Sequence, residues 1–334
     1  MKVKKIIFII LALAIVVGIG IAITIGVGGD KNKSNAKYKV VASNFASYDF
    51  LRAIIGDTKE IELTFLLGPG KEAHSFDPTA GDIIKIQDSD LFVYVGGEME
   101  KWANKVLDSI ENKPSEVMCI ADFVEKMEEK EVDGAEEHEH EDEHHEEDEE
   151  HEEHEHEEGA FDEHIWTSPQ NAIKMVNALE KSLEKIDNEN SNTYKENADK
   201  YIEKIKNVDK QIQNVINNKV RDRLVFADKM PMQYFIDYYK LQVSAAFDGC
   251  STETEPSAKT IAYLQNVIKQ EKIPVVLYIE LNNGTVAKTM AEETGAKAMQ
   301  IQTLHNVSLN DFNNGETWVS LMTRNIDVLN QALK

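Results

Sequence analysis

Cysteine is nearly absent: two residues in 334, Cys119 and Cys250. So few thiols in so long a chain exclude a disulfide scaffold. One bridge between them would be permitted in an exported protein. They fall in different predicted lobes, however, and are read as free thiols. No cysteine follows the apolar N-terminal run, which argues against a bacterial-type lipid anchor. Positive charge is also scarce. Thirty-six lysines and arginines face 60 acids, for a formal net charge of −24. Phosphate would repel such a chain, so nucleic acid is excluded as a partner. Histidine is scarce outside one segment: seven of ten lie within residues 136–158, leaving His74, His164 and His305 elsewhere. Outside that segment there is no HExxH and no histidine pair at helical spacing. Both absences weigh against a zinc hydrolase, which also needs an open coordination position and a general base.

What is present divides sharply along the chain. Residues 136–158, EEHEHEDEHHEEDEEHEEHEHEE, contain only carboxylates and imidazoles, sixteen and seven of them. Without an apolar residue to bury, and with so much like charge, the run cannot build a core. It carries sixteen of the 24 net negative charges, so the other 311 residues hold an ordinary −8. The N-terminus reads MKVKK followed by an uncharged run from Ile6 to Val27. As a helix that run would span roughly 33 Å, enough for a bilayer, with the preceding lysines kept in the cytoplasm and the rest exported. Residues 1–28 are read as a signal peptide or a membrane anchor, the length favouring an anchor. Residues 29–37 read as a linker.

The remainder alternates strand and helix patterns. YKVVASN (38–44), EIELTFLLG (60–68), LFVYVGG (91–97) and EVMCIAD (116–122) read as strands, with helices at 47–56 and 79–90 between them. A second series follows: RLVFAD (223–228), KLQVSAAFD (240–248), PVVLYIE (274–280) and KAMQIQ (297–302), again separated by helical stretches. The expected fold is α/β: two lobes, 38–125 and 219–334, each with a roughly four-stranded parallel sheet flanked by helices. Residues 126–163 hold the acidic insert and its return. Residues 164–218 read as a long connecting helix, one piece or two in line, started by Ser168 and Pro169.

Ligands of open α/β sheets sit beyond the carboxyl ends of strands. His74, His164, Asp228, Glu280 and His305 all fall at such ends, and a cleft between two lobes would bring them together. A lone loop histidine is ordinarily an unremarkable polar residue. The joint placement, with a histidine-rich insert beside it, points to a transition-metal site, for which imidazole and carboxylate are suitable ligands. Cys250 also follows a strand.

GPGKEAHSFDPT, FDEHIWTSPQNA and TETEPSAKTIAYL, in this order and spacing, resemble motifs of the zinc- and manganese-binding substrate-binding subunits of ABC importers, the cluster A-I or cluster 9 family. The likeness covers about residues 38–333. It implies a rigid two-lobed receptor that binds a divalent cation outside the membrane and passes it to a permease powered by a separate ATPase subunit. Zinc is the implied cargo, with manganese the alternative. His74 matches the first family histidine and His164 the second. At the third position Asp228 is the nearest ligand, with Lys229 beside it; at the fourth, where aspartate is frequent, His305 is close enough to substitute. Three histidines with one carboxylate would favour zinc, and two histidines with Asp228 and Glu280 would resemble a manganese set. A surface metal buffer or adhesin without transport, and a receptor for an organic solute, are the other readings. The insert is expected to act as a weak multivalent trap through His138, His140, His144, His145, His151, His154 and His156, its acids drawing cations in before specific contact. Since binding needs neutral imidazoles, affinity is expected to fall as pH drops through about 6.

Overall fold

Short runs of valine, isoleucine and aromatic residues, each stopped by a polar turn, become strands. The computed structural model describes residues 36–135, 161–251 and 255–334. The N-terminal apolar run and the His-rich segment lie outside the described residues. The first sheet contains β1 (Tyr38–Ala42), β2 (Ile61–Phe65), β3 (Leu91–Tyr94) and β4 (Glu116–Cys119), in the order β2-β1-β3-β4. The second contains β5 (Arg223–Lys229), β6 (Gln242–Phe247), β7 (Val275–Ile279) and β8 (Lys297–Ile301), in the order β6-β5-β7-β8. Every pairing is parallel. The two lobes therefore repeat one strand order, and in each the order reverses beside its first strand, where α/β sheets open a crevice. All four residues of β3 are buried, as expected of a strand covered on both faces.

The expected helices form α1 (Phe45–Ile55) and α2 (Ala80–Gln87) in the first lobe. In the second they form α6 (Gln233–Tyr239), α7 (Ala258–Glu271) and α8 (Thr285–Thr294). Three more helices arise where no element is assigned from sequence: α3 (Lys101–Ser109), α9 (Leu309–Asn313) and α10 (Trp318–Ala332). The connecting stretch is two helices, α4 (Pro169–Ile186) and α5 (Ser191–Asn217), which pack against each other as well as joining end to end. Asp187 fixes the break, because one of its oxygens accepts Tyr194 Oη and Asn190 Nδ2, each at 2.7 Å. Ser168 stands at the N-cap of α4 without a side-chain cap bond, and Pro169 opens the first turn. Helix α5 runs from the first lobe to the second. Its 27 residues extend about 40 Å. Tyr194, Ala198, Tyr201, Ile205, Val208, Ile212 and Val215 form its buried stripe, facing α1, α4 and α10.

That stripe belongs to a single core reaching from Val40 and Val93 in the first sheet to Phe226 and Leu277 in the second. The outer faces of the two sheets bury separate clusters, around Phe92 in the first lobe and Val225 in the second. The lobes are thus joined through shared apolar packing, and burial on this scale is the main stabilising contribution. Among the described residues, no helix is long and apolar enough to cross a membrane.

Candidate metal centre

His74, His164 and His305 meet between the lobes. Ring centroids are 5.6 Å apart for His74–His164, 4.9 Å for His74–His305 and 5.2 Å for His164–His305. One nitrogen from each lies within 4.8 Å of the other two. His164 and His305 are buried, and His74 is half-buried. The Nε2 atoms of all three are buried without a hydrogen-bond partner. Buried polar atoms are ordinarily satisfied, so three converging orphans describe a site shaped for something that accepts their lone pairs.

Each ring is aimed by its own loop. The His74 loop follows β2 and is tied across the cleft: Asn306 Nδ2 donates to Gly68 O at 3.0 Å and to Lys71 O at 2.6 Å, and Gly70 N–H donates to Val307 O at 2.8 Å. His164 opens a short 3-10 turn, Ile165–Thr167. Asp162 Oδ1 accepts its backbone N–H at 2.8 Å and stands 3.2 Å from its Nδ1. A proton on Nδ1 shared with that carboxylate leaves the Nε2 lone pair facing inward, the usual arrangement for a metal-binding imidazole. His305 follows β8, next to Leu304, whose φ of 60° is left-handed. That conformation costs about 1–2 kcal/mol for a residue with a Cβ. Glu280 holds the loop in place, accepting Thr303 N–H at 2.7 Å, Thr303 Oγ1 at 2.8 Å and His305 N–H at 3.0 Å.

Electrostatics keep His74 and His305 neutral. Burial, then neighbouring His164, then Lys229, lower the His74 pKa to about 3. Burial and the other two rings hold His305 well below the ordinary imidazole value. Neutral nitrogens are the form a cation requires.

Asp228, expected at the third ligand position, is not part of the group. Its Oδ1 accepts Lys229 N–H at 2.9 Å and its Oδ2 accepts Ile279 N–H at 3.5 Å, so it serves the backbone at the end of β5. Glu280 is likewise occupied with the His305 loop. Glu72 is a further carboxylate beside the rings, 3.6 Å from His305 Nδ1 and paired with Lys229 Nζ at 3.1 Å. Both cysteines are free thiols. Cys250 lies outside the three-ring group, with its thiol donating to Glu163 Oε2 at 3.3 Å. Asp162, Glu163 and Glu72 are the residues that sequence reasoning passes over. The acidic pair immediately before His164 in FDEH is the signal that could have marked the first two.

The family described as zinc-uptake complex component A, periplasmic (ZnuA), matches residues 40–332. The chain is 30% identical over 309 residues to the zinc-binding lipoprotein AdcA of Streptococcus pneumoniae, covering 91% of this chain and 57% of that protein. It is 33% identical over 298 residues to the high-affinity zinc uptake system protein ZnuA of Bacillus subtilis, covering 89% of this chain and 88% of that one. The chain thus spans little more than half the length of the streptococcal relatives. The Zn(II)-bound ZnuA-like domain of the Streptococcus pneumoniae protein superposes with a TM-score of 0.70 at 28% identity, covering 89% of this chain and 99% of that one. The periplasmic zinc-binding protein TroA of Treponema pallidum shares the fold, with a TM-score of 0.70 at 20% identity over 89% of this chain and 99% of that one.

Proposed function

The chain belongs to the periplasmic zinc-uptake component A family, and from that premise we propose that it is an extracytoplasmic receptor for zinc. It captures the ion between its lobes on His74, His164 and His305 and hands it to an ABC permease driven by an ATPase subunit. The observation that carries this reading is the set of three clustered rings whose buried Nε2 atoms have no partner. Zinc takes nitrogen ligands at about 2.0–2.1 Å in tetrahedral geometry, which three converging imidazoles suit. Three imidazole nitrogens favour zinc over manganese, which prefers oxygen. Residues 1–28 would deliver the folded part across the membrane or hold it there, and the His-rich segment would gather ions loosely beside the tight site.

Titration calorimetry with zinc tests the core of this proposal. The parent chain should show one tight site, and His164→Ala should lose it while melting at the same temperature without metal. Equal affinity in parent and variant would place the cargo elsewhere.

A further inference from the structure

His74 takes part in a second group of ligand atoms. Its ring, a Glu163 carboxylate oxygen and the Cys250 sulfur also lie within 4.8 Å of one another. Glu163 is buried and fixed in position. Its Oε1 accepts Met99 N–H at 2.8 Å, which leaves Oε2 with the Cys250 thiol at 3.3 Å. The side chain rests on Gly97, whose φ is +77°; a Cβ there would stand 2.4 Å from Glu163 Cγ. Glycine therefore supplies both the left-handed turn and the room for the carboxylate. His74, Glu163 and Cys250 line a cavity of about 180 Å³ together with Glu98, Glu129 and Phe161. Phe161 pairs with Glu128 in an isolated bridge. In sequence, residues 136–160 with their seven histidines run between Ala135 and this Phe161.

We infer that this cavity is an outer metal station, where Cys250, Glu163 and His74 hold a thiophilic divalent cation before it moves to the three-histidine centre. The inference rests on the receptor function proposed above. When the ion binds, the Cys250 S–H bond breaks, the sulfur–metal bond forms, and the proton leaves to solvent. No oxidation state changes. Thiolate and carboxylate together neutralise the dication, which lowers the cost of bringing it out of water. The soft sulfur admits zinc or cadmium in preference to manganese, so selection begins before the inner site is reached. His74 belongs to both groups, so the ion can exchange Cys250 and Glu163 for His164 and His305 while one ligand stays bound. The two positions are alternatives for one ion at a time.

Cobalt(II) is the probe, used on the full chain carrying His164→Ala and His305→Ala to disable the inner centre. One equivalent should bind with a thiolate-to-cobalt charge-transfer absorption. Adding Cys250→Ser should abolish that absorption, and adding Cys119→Ser should leave it. No such band in a variant whose circular dichroism is native, or a band that survives Cys250→Ser, would overturn the station. If the double variant does not fold, His305→Asn alone carries the same test, with the same two outcomes decisive. In the otherwise unaltered chain, Cys250→Ser should load zinc more slowly in stopped flow, because the station has lost its sulfur ligand, with the equilibrium affinity of the inner centre unchanged. Equal loading rates would also overturn the station. These failures are distinct from failure of the receptor function, which would appear as the absence of a tight zinc site in the parent chain.

Discussion

Two buried polar centres join the lobes, and they are opposites. On α1, both carboxylate oxygens of Asp49 are answered. Its Oδ1 accepts Arg52 Nη2 at 2.5 Å, and its Oδ2 accepts Tyr201 Oη from α5 at 2.5 Å and Trp318 N–H from α10 at 2.7 Å. Arg52 Nη2 in turn donates to Glu316 O at 2.7 Å. At the other centre three imidazole nitrogens are equally buried and have no partner. A satisfied buried network ties helices together; an unsatisfied one leaves lone pairs free, which the proposed function gives to a cation. The difference teaches that burial alone does not mark a functional site. Convergence of unanswered lone pairs does.

Breaking the satisfied centre should give the largest effect on stability. Asp49→Ala strips Tyr201, Trp318 and Arg52 of a shared acceptor and should cost about 3–5 kcal/mol in denaturant unfolding. The folded fraction should still take one tight zinc. A variant that kept its stability and lost the zinc would reverse the roles assigned to the two centres.

A smaller effect is expected between them, at Glu280, a satisfied carboxylate that serves the open site. Glu280→Gln retains the shape but exchanges acceptors for a donor against Thr303 and His305. Zinc affinity should fall by about 10–100-fold, as for other groups that orient a metal-binding histidine. Calorimetry checks this, and an unchanged affinity would mean that the left-handed Leu304 turn holds without help.

Acid should sharpen the contrast further. The His74 pKa is lowered from 6.5 to about 3 by burial, and that of His305 is also lowered. Between those values the unfolded chain binds protons that the folded chain refuses. The contribution of these rings is therefore fully present above about pH 6.5 and is lost progressively as pH falls toward 3. Zinc affinity of the folded protein should hold below pH 6, lower than unperturbed imidazoles would allow. Melting curves and calorimetry at stepped pH decide it; a sharp loss of affinity at pH 6 without loss of stability would show the rings to be solvated.

The smallest effect on the inner centre should come from deleting residues 136–158. The tight site should remain and several weak ones disappear, and unchanged stoichiometry would defeat the trap reading.

Much of this was legible in one sequence, and the reasons are local. Strands rich in valine and isoleucine between polar turns announced both sheets, and each of the three histidines stands just past a strand or before a helix. Residues distant in sequence were harder to read. Glu72 meets Lys229, and Glu163 meets Cys250, only because the two lobes close on each other. No spacing rule within either segment contains those meetings. Asp228 looked like a ligand because it ends a strand, yet two backbone N–H groups had already claimed it. Helix α10 was a missed signal of another kind. Its buried Trp318, Leu321, Met322, Asn325, Val328 and Leu329 follow helical spacing, with Thr317 and Ser320 forming a capping box.

Trp166 sits beside two of the three rings, His164 and His305. Its indole lies parallel to His305, 4° from coplanar with centroids 6.5 Å apart, and edge-on to His164 at 5.5 Å. Its Nε1 donates to Thr303 O at 3.0 Å, and Trp318 Nε1 donates to the carbonyl of Trp166 at 2.9 Å. A chromophore so firmly seated cannot fail to sense a charge arriving next door. If the three rings take zinc as proposed, tryptophan emission should follow its binding without any added dye, and an emission unchanged by saturating zinc would place the ion away from this indole.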